Sequence, residues 1–122
     1  MRVLVIDDVR TFRSDVFDTE TEVVYARTPD AGVAQLAAGP WDEIVLDHDL
    51  GRNLMTGQTY EIWPCIEFIE SQRNSFMGTK FWVVSSNPYG AAQIDAALQV
   101  SQLNSHRMNE DSKAKYFIAQ GS

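Results

Sequence analysis

The sequence predicts an α/β fold, a parallel sheet of four to five strands with helices on both faces, three layers in all. Three observations carry it. Short apolar runs recur at residues 3–6, 22–26, 43–46 and 81–84. Helix-compatible segments with start and stop signals lie between them. Acidic residues follow two of the runs directly, Asp7-Asp8 and Asp47-His48-Asp49, where a buried strand gives way to water.

The elements read in order as follows. Val3-Leu4-Val5-Ile6 is a first strand, and residues 9–16 are a loop or short helix. Glu22-Val23-Val24-Tyr25-Ala26 has the β-branched and aromatic residues of a second strand. Thr28 suits an N-cap, Pro29 the first helical position, and Gly39-Pro40 the stop of a first helix. Residues 43–46 form a third strand whose unbroken apolar run predicts burial on both faces. Residues 48–57 are a loop. Residues 59–73 have helical spacing through Tyr60, Trp63, Ile66 and Ile69, with Pro64 marking either a kink or a later start. Residues 81–84 are a fourth strand, 85–90 a polar loop, and 91–103 an amphipathic helix. The tail, 105–122, fits either a strand at 116–119 or a helix over 110–120.

Alternation of strand and helix implies right-handed crossovers. In such open sheets ligands bind beyond the carboxyl ends of the strands, where strand order reverses. The flavodoxin-like order 2-1-3-4-5 puts the first and third strands side by side there, so Asp7, Asp8, Asp47 and Ser85 rim one crevice. Converging carboxylates repel one another unless protons or a hard cation neutralise them, which predicts Mg²⁺ or Mn²⁺ at Asp7, Asp8 and Asp47. Asp49, before Leu50-Gly51, suits a turn.

Composition narrows the classes. The chain has 122 residues, 44% hydrophobic, and a formal net charge of -7. That is one domain, residues 1–122, with enough apolar content for a core. The acidic balance argues against duplex nucleic acid, which needs a positive stripe. With no membrane-length apolar run and no signal-like start, the expected location is the cytoplasm. The single cysteine, Cys65, lies among Ile62, Trp63, Ile66 and Ile69 and reads as a buried structural thiol.

His48, between two carboxylates, reads either as a general acid/base or as a packing residue, because alternation along a strand turns it away from Asp47. Ser85, Asn87 and Gly90 read as an anion site at a helix N-terminus or as a cap and a turn. Arg10, Arg13 and Arg52 lie on loops near the crevice, as partners for phosphate or for surface acids. Trp41, Trp63 and Trp82 read as core anchors, and His106 as a surface residue.

Ile6-Asp7-Asp8, Leu46-Asp47 and Val84-Ser85 resemble the receiver domain of bacterial response regulators. There the acidic pair holds Mg²⁺, the third-strand aspartate accepts a phosphoryl group and the fourth-strand hydroxyl contacts it. Leu46-Asp47-His48-Asp49-Leu50-Gly51, Thr56-Gly57 and Ser85-Ser86-Asn87-Pro88-Tyr89-Gly90 are similar to a narrower group, the cyclic-phosphate-processing receivers, found in small bacterial and phage-borne proteins. That resemblance covers roughly residues 2–98. It implies a receiver fold and metal-dependent hydrolysis of a cyclic phosphate on a nucleotide or RNA-derived metabolite. Asp47, His48 and Ser85 would be catalytic, and Asn87, Gly90 and Arg52 would bind substrate. Three departures keep an alternative open. Val84 stands where the group has histidine, and Gln93-Ile94 where it has asparagine-methionine. The receiver lysine after the fifth strand is missing, Lys80, Lys113 and Lys115 all falling at the wrong end of the sheet. The alternative is a degenerate receiver-like module, such as a phage-encoded protein that binds a host protein.

Overall fold

The computed structural model describes residues 1–118. In chain order its elements are β1 (Arg2–Ile6), β2 (Thr11–Phe12), β3 (Glu22–Ala26), α1 (Pro29–Ala37), β4 (Glu43–Leu46), β5 (Asp49–Arg52), β6 (Thr59–Glu61), α2 (Trp63–Ser71), a 3₁₀ turn (Arg73–Phe76), β7 (Lys80–Val83), α3 (Pro88–Val100), β8 (Asn104–Arg107), α4 (Glu110–Tyr116) and β9 (Phe117–Ile118). Five strands make one sheet in the order β3-β1-β4-β7-β8. Every pairing in it is parallel. Numbered along the chain, that is the predicted 2-1-3-4-5. Its register decides the rest: Ile6 lies opposite Leu46, and Leu46 opposite Val83. The residues just past these three strands therefore emerge level, at one edge.

Alternate side chains feed two cores. Leu4, Ile6, Ile44, Leu46, Phe81 and Val83 face α1, α2 and α3 and bury Leu36, Ile66, Ile69, Ile94 and Leu98 with them. Gly32 lets α1 close on β1 and α2. A Cβ there would lie 2.6 Å from Cys65 Sγ and 3.1 Å from Ile6 Cγ2. Cys65 is fully buried, its thiol pushed up to about 12 by burial, which makes it the expected structural residue. The opposite face buries Val3, Val5, Val45, Val84 and Phe117. Its cover is thin. The β1–β3 connection carries no helix; instead β2 pairs antiparallel with β9, and Phe12 stacks on Phe117 at 4.4 Å. The short α4 completes that layer. Trp41 and Trp82 are anchored as expected, their indole N–H groups donating to Gln35 O and Glu43 Oε1.

Four boundaries differ from the expectations. Residues 48–57 are not all loop, because β5 pairs with β6, a segment assigned to helix. The helix starts at Trp63 with Pro64 in its first turn, the later of the two starts considered. Helix α3 begins at Pro88, where Asn87 Oδ1 accepts from Gly90 N. The fifth sheet strand is Asn104-Ser105-His106-Arg107, not 116–119. Being an edge strand, it carries no apolar pattern to find. The tail holds both expected elements in shortened form, α4 and then β9, and Ala119 and Gln120 lie outside the described residues. Among the described residues no helix is long and apolar enough to cross a membrane.

Candidate metal centre

Asp7 follows the last residue of β1 and is fully buried. Its Oδ1 accepts from Val9 N at 2.9 Å and Arg10 N at 3.0 Å. This is the local turn that aspartate side chains favour. Asp47 follows β4, its N–H donating to Ile6 O at 3.0 Å. Asp8, partly buried, completes the trio. Each carboxylate offers one oxygen, and these oxygens lie within 4.8 Å of one another. The sheet register thus brings together the three residues expected to hold a metal.

Arg10, expected only near the mouth, sits inside the cluster and is 3% exposed. Its Nη1 donates to Asp7 Oδ2 at 2.9 Å and Asp47 Oδ2 at 3.3 Å. Its Nη2 donates to Ser86 Oγ at 2.7 Å. One guanidinium faces three carboxylates, so the cluster carries two uncompensated negative charges when fully ionised. The acids show the strain. Asp47 is pushed up to about 6, by burial first and then by Asp7, against the pull of Arg10 and the Ser85 hydroxyl. Asp8 is raised for the same two leading reasons. Oxygen-only donors with a deficit of two positive charges suit a hard divalent cation.

On the β7 side, Ser85 is buried and its Oγ accepts from Asn87 N at 3.1 Å. Asn87 Oδ1 and Gly90 N satisfy each other, so both residues shape the start of α3. The structure corrects one expectation about charge. Because the fifth strand is β8, Lys113 follows it and returns to the carboxyl end of the sheet. Its Nζ is buried, donates to Ser85 O at 3.2 Å and pairs with Glu110. The sequence signal was present: Asn109 caps α4, and Glu110 and Asp111 fill its first turn.

His48 points to the other face. Its Nδ1 is 2.9 Å from Asp49 Oδ1, and its Nε2 is 3.9 Å from Glu61 Oε1. The ring stands edge-on to Trp63, with centroids 5.8 Å apart. Gly90 packs directly on it, since a Cβ there would lie 2.5 Å from His48 Cγ. Among the described residues no hydrogen bond joins His48 to the carboxylate trio. Arg52 is exposed at the end of β5 and forms no ion pair among the described residues. Val84 is fully buried in the Phe117 cluster.

A solved structure similar to this chain is the receiver domain of Francisella response regulator 1452, 14% identical, with a TM-score of 0.48 over 87% of this chain and 82% of that one. No curated protein matches. The sequence profile of the cyclic-phosphate processing receiver domain matches residues 2–100, which spans all three carboxylates and the Ser85–Gly90 loop. The chain belongs to the cyclic-phosphate-processing receiver family.

Proposed function

We propose that the protein hydrolyses a cyclic phosphate on a nucleotide or RNA-derived metabolite, with Mg²⁺ or Mn²⁺ held by Asp7, Asp8 and Asp47. The observation that carries the reading is the convergence of three carboxylate oxygens within 4.8 Å around a single guanidinium, at the edge where ligands bind in such sheets. The family's description, cyclic-phosphate processing, supports a cyclic phosphate as the reacting group.

Hydrolysis adds water across one P–O bond of the ring. The water oxygen bonds to phosphorus, and the freed ring oxygen takes the proton. A divalent cation at the trio supplies charge neutralisation and Lewis acidity. Asp7 Oδ1 accepts from two backbone N–H groups, so Asp7 would hold the cation together with Asp8 and Asp47 while its turn keeps the carboxylate in place. The Ser85 hydroxyl accepts from Asn87 N and gives its proton to Asp47; with Asp47 turned to a cation, that proton would pass to a non-bridging phosphate oxygen. Asn87 and Gly90 hold that loop in place, and Lys113 clamps it from behind through Ser85 O. His48 serves as a positioning residue. Its ring is wedged against Gly90 and Trp63 and fixes the main chain that carries Asp47. Arg52 stands on the exposed hairpin, free to meet the remainder of a substrate.

The test is a panel of 2′,3′-cyclic nucleotides and ADP-ribose cyclic phosphate, followed by ³¹P NMR with Mg²⁺ present. A phosphomonoester should appear with the wild type and not with Asp47→Asn, which keeps its fold. No turnover across the panel by metal-loaded protein would refute the reading and leave an interaction module as the alternative.

A further inference from the structure

Arg10 touches both halves of the site, the carboxylates through Nη1 and the β7 loop through Nη2. We propose that Arg10 is the phosphate-binding residue of this site, held on the carboxylates in the metal-free protein and released to the anion when a divalent cation takes its place. The inference rests on the trio being a metal site and adds the residue that meets the phosphate.

Three features support it. The first is competition for oxygens. Asp7 Oδ1 is committed to Val9 N and Arg10 N, which leaves Oδ2 for any cation. That is the oxygen Arg10 Nη1 now holds, along with Asp47 Oδ2. A cation drawing on Asp7 and Asp47 therefore loosens the guanidinium. The second is the anchor. Arg27 Nη1 donates to Arg10 O at 2.6 Å and to Asp7 O at 3.2 Å, so the main chain stays put while the side chain swings. Ser86 Oγ, on Nη2, already steers the fork toward the Ser85–Gly90 loop. The third is charge. The two uncompensated negative charges of the trio repel an anion until a divalent cation cancels them. After that, a free planar guanidinium is a strong bidentate phosphate donor. The other buried cation near the loop, Lys113, is engaged by Ser85 O and Glu110.

The experiment uses two probes, Mn²⁺ alone and inorganic phosphate in saturating Mn²⁺, measured by calorimetric titration on the wild type and Arg10→Met. Removing a charged hydrogen-bond donor should weaken phosphate binding by roughly 10- to 100-fold. Mn²⁺ affinity should hold or rise, because a competing positive charge has gone. Arg10→Lys should recover part of the phosphate affinity, since it restores charge without the fork. Unchanged phosphate affinity in Arg10→Met, weaker Mn²⁺ binding in that variant, or no phosphate binding by the metal-loaded wild type would each overturn the proposal. If Arg10→Met does not fold, Ser86→Ala keeps the charge and frees only Nη2. It should change phosphate affinity while leaving Mn²⁺ affinity alone, and no change in either overturns the proposal. The two readings fail separately. Arg10-dependent phosphate binding without cyclic-phosphate turnover sinks the reaction and keeps this inference. Turnover with phosphate affinity unchanged in Arg10→Met does the reverse.

Discussion

Asp47→Asn should make the metal-free protein more stable at neutral pH. Asp47 is 4% exposed and is pushed from 3.8 up to about 6 by burial and by Asp7. Its folded-state value lies above its unfolded one, so the native state holds this proton more tightly. The resulting stability is fully present below pH ~4 and is lost as pH rises through about 6. At 1.36 kcal/mol per unit, the interval between 3.8 and about 6 sets a ceiling of roughly 3 kcal/mol. Asparagine keeps the shape and an oxygen that can still accept from Arg10 Nη1, but it carries no charge. Urea denaturation in EDTA, followed by tryptophan fluorescence, should show the variant more stable than the wild type by about 1–3 kcal/mol at pH 7.5. The gap should close by pH 4. A variant equal to or weaker than the wild type at pH 7.5 would mean that Arg10 already neutralises Asp47, and the case for a charge-starved site would fail.

Four further predictions concern the frame around the site. Gly90→Ala drives a methyl into the His48 ring, 2.5 Å away, and should cost about 1–3 kcal/mol as overpacking does. His48→Ala should lower the melting temperature even in metal-free protein, and activity lost without any change in melting would instead make that ring a proton carrier. Gly32→Ala meets Cys65 Sγ at 2.6 Å, so the loss of stability should be smaller in a Cys65→Ala background; strict additivity in the double-mutant cycle would contradict that contact. Lys113→Met strips Ser85 O of a buried donor and should cost about 1–3 kcal/mol, whereas Glu110→Gln, at a largely exposed carboxylate, should cost under about 1 kcal/mol; equal losses in the two variants would show that the ion pair, not the Ser85 contact, is what matters.

The sheet and the acid trio were legible because they rest on local signals. Apolar runs gave β1, β3, β4 and β7, and the carboxylates that end two of them fell level once strand order was inferred. The Thr28 cap and Gly39-Pro40 stop bracketed α1 well. What could not be read was set by pairing at a distance. β8 is a polar edge strand, recognised only by its hydrogen bonds to β7. Misplacing it put Lys113 at the wrong end of the sheet. The β5–β6 hairpin mixes glycine and charge, and its partner Thr59–Glu61 continued the helical spacing of α2. The inward turn of Arg10 depends on Asp7 folding back on its own backbone three residues later. Its spacing allowed that contact but did not require it. His48 continues the alternation of β4 past its end: adjacent to Asp47 in sequence, it faces the helices, whereas Asp47 faces Arg10.

The most direct test of the central claim, that Asp7, Asp8 and Asp47 form one divalent-cation site, is a Mn²⁺ titration by calorimetry at pH 7.5 and pH 5. One ion per chain should bind at pH 7.5. Binding should weaken at pH 5, below the value of about 6 to which Asp47 is raised, because protons then compete for that carboxylate. Asp47→Asn should lose the site and Asp8→Asn should weaken it. At 100 times its dissociation constant the ion should add ~2.7 kcal/mol to wild-type stability. No saturable binding, or binding that is the same in the wild type and Asp47→Asn, would contradict the account.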